Sequence, residues 1–198
     1  MQTIIRASIA EAGRLLDEFA GSELNVATLE SAADLLVGSF SGGGKVLACG
    51  NGGSMCDAMH FAEEWTGRFR ETRSPYPAIA LSDPAHMSCV ANDFGYEHVF
   101  ARQVEALGRN GDVLLVLSTS GNSPSIVRAA EAAKSSGVAV LGMLGGNGGK
   151  VLPMCELALI APGETSDRIQ ELHMLALHVL IEAVEHELRP RPELDGDL

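Results

Sequence analysis

The sequence predicts an α/β protein: a three-layer α-β-α sandwich on a five-stranded parallel sheet, preceded by two N-terminal helices. Three observations carry this expectation. Five short apolar runs alternate with stretches of helical periodicity, the pattern of a parallel sheet covered on both faces. Turns rich in glycine or hydroxyls directly follow two of these runs, where open α/β sheets place their ligand crevice. Two amphipathic patterns precede the first run and so stand outside the alternation.

Taken in order, residues 4–20 read as a helix with Ile4, Ile5, Ile9, Leu15, Leu16 and Phe19 as its apolar positions. A second helix over 26–40 uses Leu29, Ala32, Leu35, Leu36 and Phe40, and Ser41-Gly42-Gly43-Gly44 stops it. Val46–Cys49 is the first strand and Gly50–Ser54 its turn, with a helix from 55 to 69. Ala78–Leu81 is the second strand, followed by irregular Ser82-Asp83-Pro84, a turn at Asn92–Gly95 and a helix over 97–107. Asp112–Leu117 is the most strand-like run; the turn Ser118–Ser123 and a helix over 125–134 follow it. Val138–Met143 and Leu157–Ile160 complete the sheet, separated by the loop Gly145–Gly149. A long helix over 165–188 ends the pattern, and residues 190–198 read as a disordered tail. Neither a linker nor a repeat interrupts the chain, so 1–198 is expected to be one domain: 1–41 helical, 42–189 the α/β core.

Composition narrows the function. At 198 residues and 46% hydrophobic, the chain can bury a substantial core. A net charge of −12 argues against a nucleic-acid or anionic-membrane surface, but not against a small phosphorylated ligand. No apolar run approaches a membrane span and no secretory signal opens the sequence. Cys49, Cys56, Cys89 and Cys155 form no C-x-x-C pair. Reduced thiols in a cytoplasmic protein are the expectation.

The chemistry concentrates in three places. Ser118-Thr119-Ser120-Gly121-Asn122-Ser123 puts four hydroxyls between a buried strand and a helix N-terminus. Free backbone N–H groups and the positive end of a helix dipole would suit a phosphate there without a lysine. A plain N-cap would explain one of those hydroxyls, not four. Gly50-Asn51-Gly52-Gly53-Ser54 lacks the G-x-G-x-x-G spacing of a dinucleotide loop and reads as a turn that lets backbone approach a small ligand. His60 and Glu64 stand four apart on the helix that follows, sharing one face as metal ligands or as a base and its partner. A solvated ion pair would look the same. The third cluster, Asp167, Arg168, Gln170, Glu171, His173 and His178, lies on the last helix. There His178 sits in an apolar run, where a histidine is more often a hydrogen-bonded core residue than a ligand.

Together Cys49–Ser54, Asp57–Glu64, Cys89–Gly95, Ser118–Ser123 and Asp167–Glu171 closely resemble the phosphoheptose isomerases of the sugar-isomerase (SIS) domain family. The resemblance spans nearly the whole chain; Met55 is one departure, standing where some members carry His or Ala. It implies a flavodoxin-like SIS fold and one zinc ion per subunit, held by His60, Glu64, Gln170 and His178. It also implies substrate contacts from Asn51, Gly52, Gly53, Glu64, Asn92, Asp93, Ser118, Thr119, Ser120, Ser123 and Gln170, with Glu64 and His178 as the acid/base pair. The implied reaction turns sedoheptulose 7-phosphate into D-glycero-D-manno-heptose 7-phosphate, the first step toward the ADP-heptose of lipopolysaccharide cores.

The resemblance also implies a cytoplasmic homotetramer. On an ideal helix Gln170 and His178 lie ~12 Å and ~80° apart. For both to reach one ion, the helix must break near Gln170 or a ligand must come from another subunit. Three other readings compete. A non-catalytic SIS protein binding the DnaA replication initiator would not need all four polar residues, and a sugar-phosphate sensor would need only the hydroxyl loop. An isomerase of another sugar phosphate would keep everything.

Overall fold

The strands order themselves β2-β1-β3-β4-β5, all parallel, in a computed structural model describing residues 1–189. They are β1 Val46–Gly50, β2 Ala78–Ala80, β3 Val113–Ser118, β4 Ala139–Gly145 and β5 Leu157–Ala161. The α/β class, the five-stranded sheet and the two leading helices are therefore as expected. The tail at 190–198 lies outside the described residues.

Alternate strand residues face opposite layers because side chains alternate along a strand. Val46, Ala48, Val113, Leu115, Leu117, Leu141 and Met143 enter one apolar core. That core is closed by α1 Gln2–Ala20, α2 Glu23–Ser41, α3 Gly53–Thr66 and α7 Ser166–Leu188. Leu47, Cys49, Leu114, Val116, Val140 and Leu144 face the other. It is closed by α4 Pro84–Asp93, α5 Ala101–Leu107 and α6 Pro124–Ser135. β3 is buried along its whole length, which is why its run reads as continuously apolar rather than alternating.

Two elements differ from expectation. A helix over 84–93 joins the irregular 82–84 segment to the turn expected at 92–95: the Asp83 carboxylate accepts the His86 N–H at 2.7 Å and Pro84 occupies the first turn. Aspartate then proline is a helix-start signal, but the helix buries only Val90 and so lacks a strong apolar stripe. The single helix expected over 97–107 is instead a 3-10 turn at Tyr96–His98 followed by α5.

The order 2-1-3-4-5 places the topological switch between β1 and β3, with Gly50 beside Leu117. Chains leaving these neighbours turn to opposite layers, which opens a crevice at their carboxyl ends. The glycine turn and the hydroxyl turn both lie there.

Candidate active site

The two helices leaving the switch point start without side-chain caps. Gly52 is the N-cap residue of α3 and Ser123 that of α6; each accepts N–H groups of its helix through its carbonyl, but neither gives a side-chain cap bond. Ser54, Met55, Ile126 and Val127 bond back to the preceding turns, while the Gly53 and Ser125 N–H groups and both helix dipoles remain available to an anion. Within the hydroxyl turn, Ser118 Oγ is buried and accepts the Gly121 N–H at 3.0 Å. Ser118 thus shapes the loop from inside. Ser120 Oγ accepts the Asn122 N–H at 3.2 Å and remains exposed. Thr119 Oγ1 lies 3.1 Å from Ser166 Oγ, bringing the start of α7 to the same place.

Asn51 is held from both ends. Its Nδ2 donates to Ser125 Oγ at 2.9 Å, and the Tyr96 hydroxyl donates to its Oδ1 at 3.0 Å. These bonds join the glycine turn to α6 and to the segment just after α4. Asn92 and Asp93, bonded to each other at 2.6 Å, end α4 on the exposed side.

His60, Glu64 and His178 come together within one chain, with one ligand atom from each inside 4.8 Å of the others. His60 Nε2 lies 3.1 Å from Glu64 Oε1. The His60 ring meets the His178 ring edge-on at 5.1 Å, and Phe69 stacks on His178 at 5.8 Å. Two imidazoles and a carboxylate this close form a donor set suited to a divalent transition metal.

Gln170 sits elsewhere on its helix. Its Nε2 donates to Ser54 Oγ at 3.3 Å, and a Cβ on Gly53 would lie 2.6 Å from its Oε1. A side chain at Gly53 would therefore displace the Gln170 amide from this position. α7 runs unbroken from 166 to 188. Of the two alternatives, a break near Gln170 is therefore excluded, and His178 reaches His60 and Glu64 without leaving its own subunit. The ideal-helix separation stands, and its consequence is that Gln170 meets the start of α3 while His178 meets the third turn.

Other residues enter through tertiary contact. The Lys150 N–H donates to Asn122 Oδ1 at 3.2 Å, so a lysine does lie beside the hydroxyl turn. Asp57, one turn before His60, has a buried Oδ2 without a partner. Burial pushes its carboxyl above the usual carboxylate range, and His60 opposes that shift. His173 is fully buried and its Nε2 lies 3.0 Å from Leu144 O. Burial holds this imidazole below the usual histidine range despite that bond.

The site is open. The His60 side chain is 41% exposed. A cavity of about 650 Å³ lies at the other end of the sheet, lined by Asp34, Asn110, Asp112, Lys134 and Glu156. None of the site residues borders it.

Comparison with known proteins accounts for the arrangement. The SIS domain family model matches residues 9–145. A phosphoheptose isomerase from Edwardsiella ictaluri (strain 93-146) is 53% identical over 188 residues, covering 94% of this chain and 97% of the relative. The solved phosphoheptose isomerase GmhA from Neisseria gonorrhoeae superposes with a TM-score of 0.88 at 38% identity, covering 93% of this chain and 98% of that one. A phosphoheptose isomerase from Francisella tularensis gives 0.89 at 35% identity, with the same coverage. The chain belongs to the SIS domain family and, within it, to the phosphoheptose isomerases.

Proposed function

We propose that this chain is an aldose–ketose isomerase converting sedoheptulose 7-phosphate to D-glycero-D-manno-heptose 7-phosphate, acting as one SIS domain per subunit. The observation that carries the reading is the His60–Glu64–His178 cluster on the switch-point crevice, where two uncapped helix starts and the hydroxyl turn can hold a phosphate. Relatives at 53% identity bear the name of that enzyme.

The chain's own residues suggest the division of work. Ser120, Ser123, Thr119 and the free Ser125 N–H at the start of α6 anchor the phosphate, fixing an open-chain sugar remote from its reacting carbons. Ser118 supports that loop, while Asn51, Gly52, Gly53, Asn92, Asp93 and Gln170 line the approach. The Glu64 carboxylate removes the proton from the carbon beside the carbonyl and returns one to its neighbour. The His178 imidazole moves protons between the two oxygens of the cis-enediol. Phe69 and His60 fix the plane of that ring.

The donor set fits zinc, held by His60, Glu64 and His178; Gln170, the fourth ligand the family resemblance implies, bonds Ser54 at the start of α3 in this chain. When bound, the ion would supply Lewis-acid stabilisation of negative charge on the sugar oxygens. A non-catalytic partner of the DnaA initiator would have no use for the three-donor cluster.

A homotetramer is part of the proposal. Most of the apolar 172–181 segment packs on the chain's own sheet, but Ile4, Ile5 and Ile9 of α1 are at least half exposed, and Leu175 and Val179 partly so. Covering them, and closing the open site, suits association with further copies. Among the described residues no helix is long and apolar enough to cross a membrane, which fits the cytoplasmic place inferred from the reaction. Assay of purified protein against C5, C6 and C7 ketose phosphates tests the reading. Turnover confined to the seven-carbon substrate supports it, and a preference for a five- or six-carbon ketose phosphate overturns it.

A further inference from the structure

We propose that Arg73 is a positioning residue that holds the α3 and α7 halves of the site in register, with Glu185 as its anchor. The proposal rests on the isomerase reading above for its activity readout, and on geometry for the rest.

Arg73 lies in the segment between α3 and β2, far from the glycine and hydroxyl turns in sequence. Its Nη2 donates to Glu64 O at 2.8 Å and its Nη1 to Trp65 O at 2.8 Å and Ser74 O at 3.2 Å. The last carbonyls of a helix have no intrahelical donor and carry the negative end of its dipole. α3 has no basic residue in its last turn, so Arg73 supplies the missing cation from outside. One of the carbonyls it binds belongs to Glu64 itself.

The same guanidinium is fixed from the other side. Arg73 Nε donates to Glu185 Oε1 at 2.5 Å. Glu185 stands on α7, two turns beyond His178. Arg73 also lies over the Tyr76 ring at 4.8 Å and the Trp65 ring at 5.7 Å. Its side chain is 14% exposed and that of Glu185 6%, so water screens the pair little. A parallel link, Arg70 to Glu182, is more than half exposed on both sides. Exposed pairs of that kind contribute little.

One planar, five-donor group thus joins the backbone under Glu64 to the helix that carries His178. The 4.8 Å cluster depends on the separation of those two helices, and no other buried ion pair among the described residues spans them. Lysine could not replace it fully, because a point charge cannot serve the carboxylate and two carbonyls in a fixed plane.

The test uses Arg73→Met, Arg73→Lys and Glu185→Gln in the full chain, each checked for folding by near-UV circular dichroism. Metal-free protein is titrated with Co²⁺ alone and followed by its d–d absorbance, and kcat and KM are measured for sedoheptulose 7-phosphate. Partners that orient metal ligands typically cost 10–100-fold in affinity or activity when lost. The expected result is a loss of about that size in Co²⁺ affinity and kcat, with KM within about threefold because the phosphate loops do not touch Arg73. Arg73→Lys should recover part of it. Folded variants with wild-type Co²⁺ affinity, spectrum and kcat overturn the proposal. If Arg73→Met does not fold, the other two variants decide on the same readouts. A wild type that binds Co²⁺ but leaves the heptose phosphate unchanged refutes the proposed reaction, and the brace is then judged by Co²⁺ affinity alone. A wild type that does neither overturns both.

Discussion

Substituting Gly121 with alanine should damage phosphate binding far more than the same change at Gly146, although both glycines have left-handed backbone. Gly121 has φ +62° and Gly146 φ +57°. A non-glycine residue in that region costs about 1–2 kcal/mol, and both variants carry this penalty. They differ in space. A Cβ on Gly121 would lie 2.0 Å from Gly148 O and 2.4 Å from its carbonyl carbon, whereas one on Gly146 has nothing within 4 Å. Backbone atoms cannot rotate away as a side chain can, so the 145–151 loop must part from the hydroxyl turn.

Two bonds cross that contact: Val151 N–H to Gly121 O at 3.1 Å and Lys150 N–H to Asn122 Oδ1 at 3.2 Å. At about 1 kcal/mol each, their loss brings Gly121→Ala to about 3–4 kcal/mol, against about 1–2 for Gly146→Ala. For a chain of this size that corresponds to a Tm decrease of roughly 10 °C against a few degrees. The same displacement moves Ser120 and the start of α6. One lost hydrogen bond to a charged group is worth about 1.5–3 kcal/mol, so KM for the sugar phosphate should rise about tenfold or more. Steady-state kinetics and thermal melting of both variants measure the two effects. A Gly121→Ala protein with KM within twofold of the Gly146→Ala control would refute the claim that packing against the β4 loop sets the shape of the phosphate turn.

Glu64→Gln keeps the shape and removes the base, so kcat should fall about 10²–10⁴-fold with little change in Tm. Isomerisation and melting measured side by side check it, and near-native turnover would remove Glu64 from the acid/base role. Because Glu64 and His178 meet within one chain, mixing dissociated Glu64→Gln and His178→Ala subunits should restore no activity after reassembly. Recovery, with subunit exchange proven by mass spectrometry, would mean that the site is built across chains. His173 should make stability depend on pH, because burial holds its folded pKa below the ordinary histidine value of about 6.5. Above 6.5 both states are neutral there; below it only the unfolded chain takes up the proton, so stability falls as pH drops toward the folded value. The Tm loss between pH 7.5 and 5.5 should therefore be smaller in His173→Gln than in wild type. Equal losses would show that His173 does not contribute.

The sequence by itself determined the class of fold, most strand positions and the two turns at the switch point. Those features are local: Asp112–Leu117 is apolar because both faces of β3 are covered, and Ser118–Ser123 declares a turn by composition. It also carried the His60–Glu64 pair, since four residues make one helical turn. It missed α4, whose Asp83–Pro84 start is plain but whose exposed faces leave no periodicity to read. Spacing alone could not choose between a broken α7, a shared site and two separate places for Gln170 and His178. Tertiary structure decided that, because strand order brings the β1 and β3 loops together and lays α7 along α3. Lys150 beside Asn122, and Arg73 joined to a glutamate 112 residues away, are decided at the same level. No residue's neighbours in the chain reveal a partner that only the packing of layers supplies.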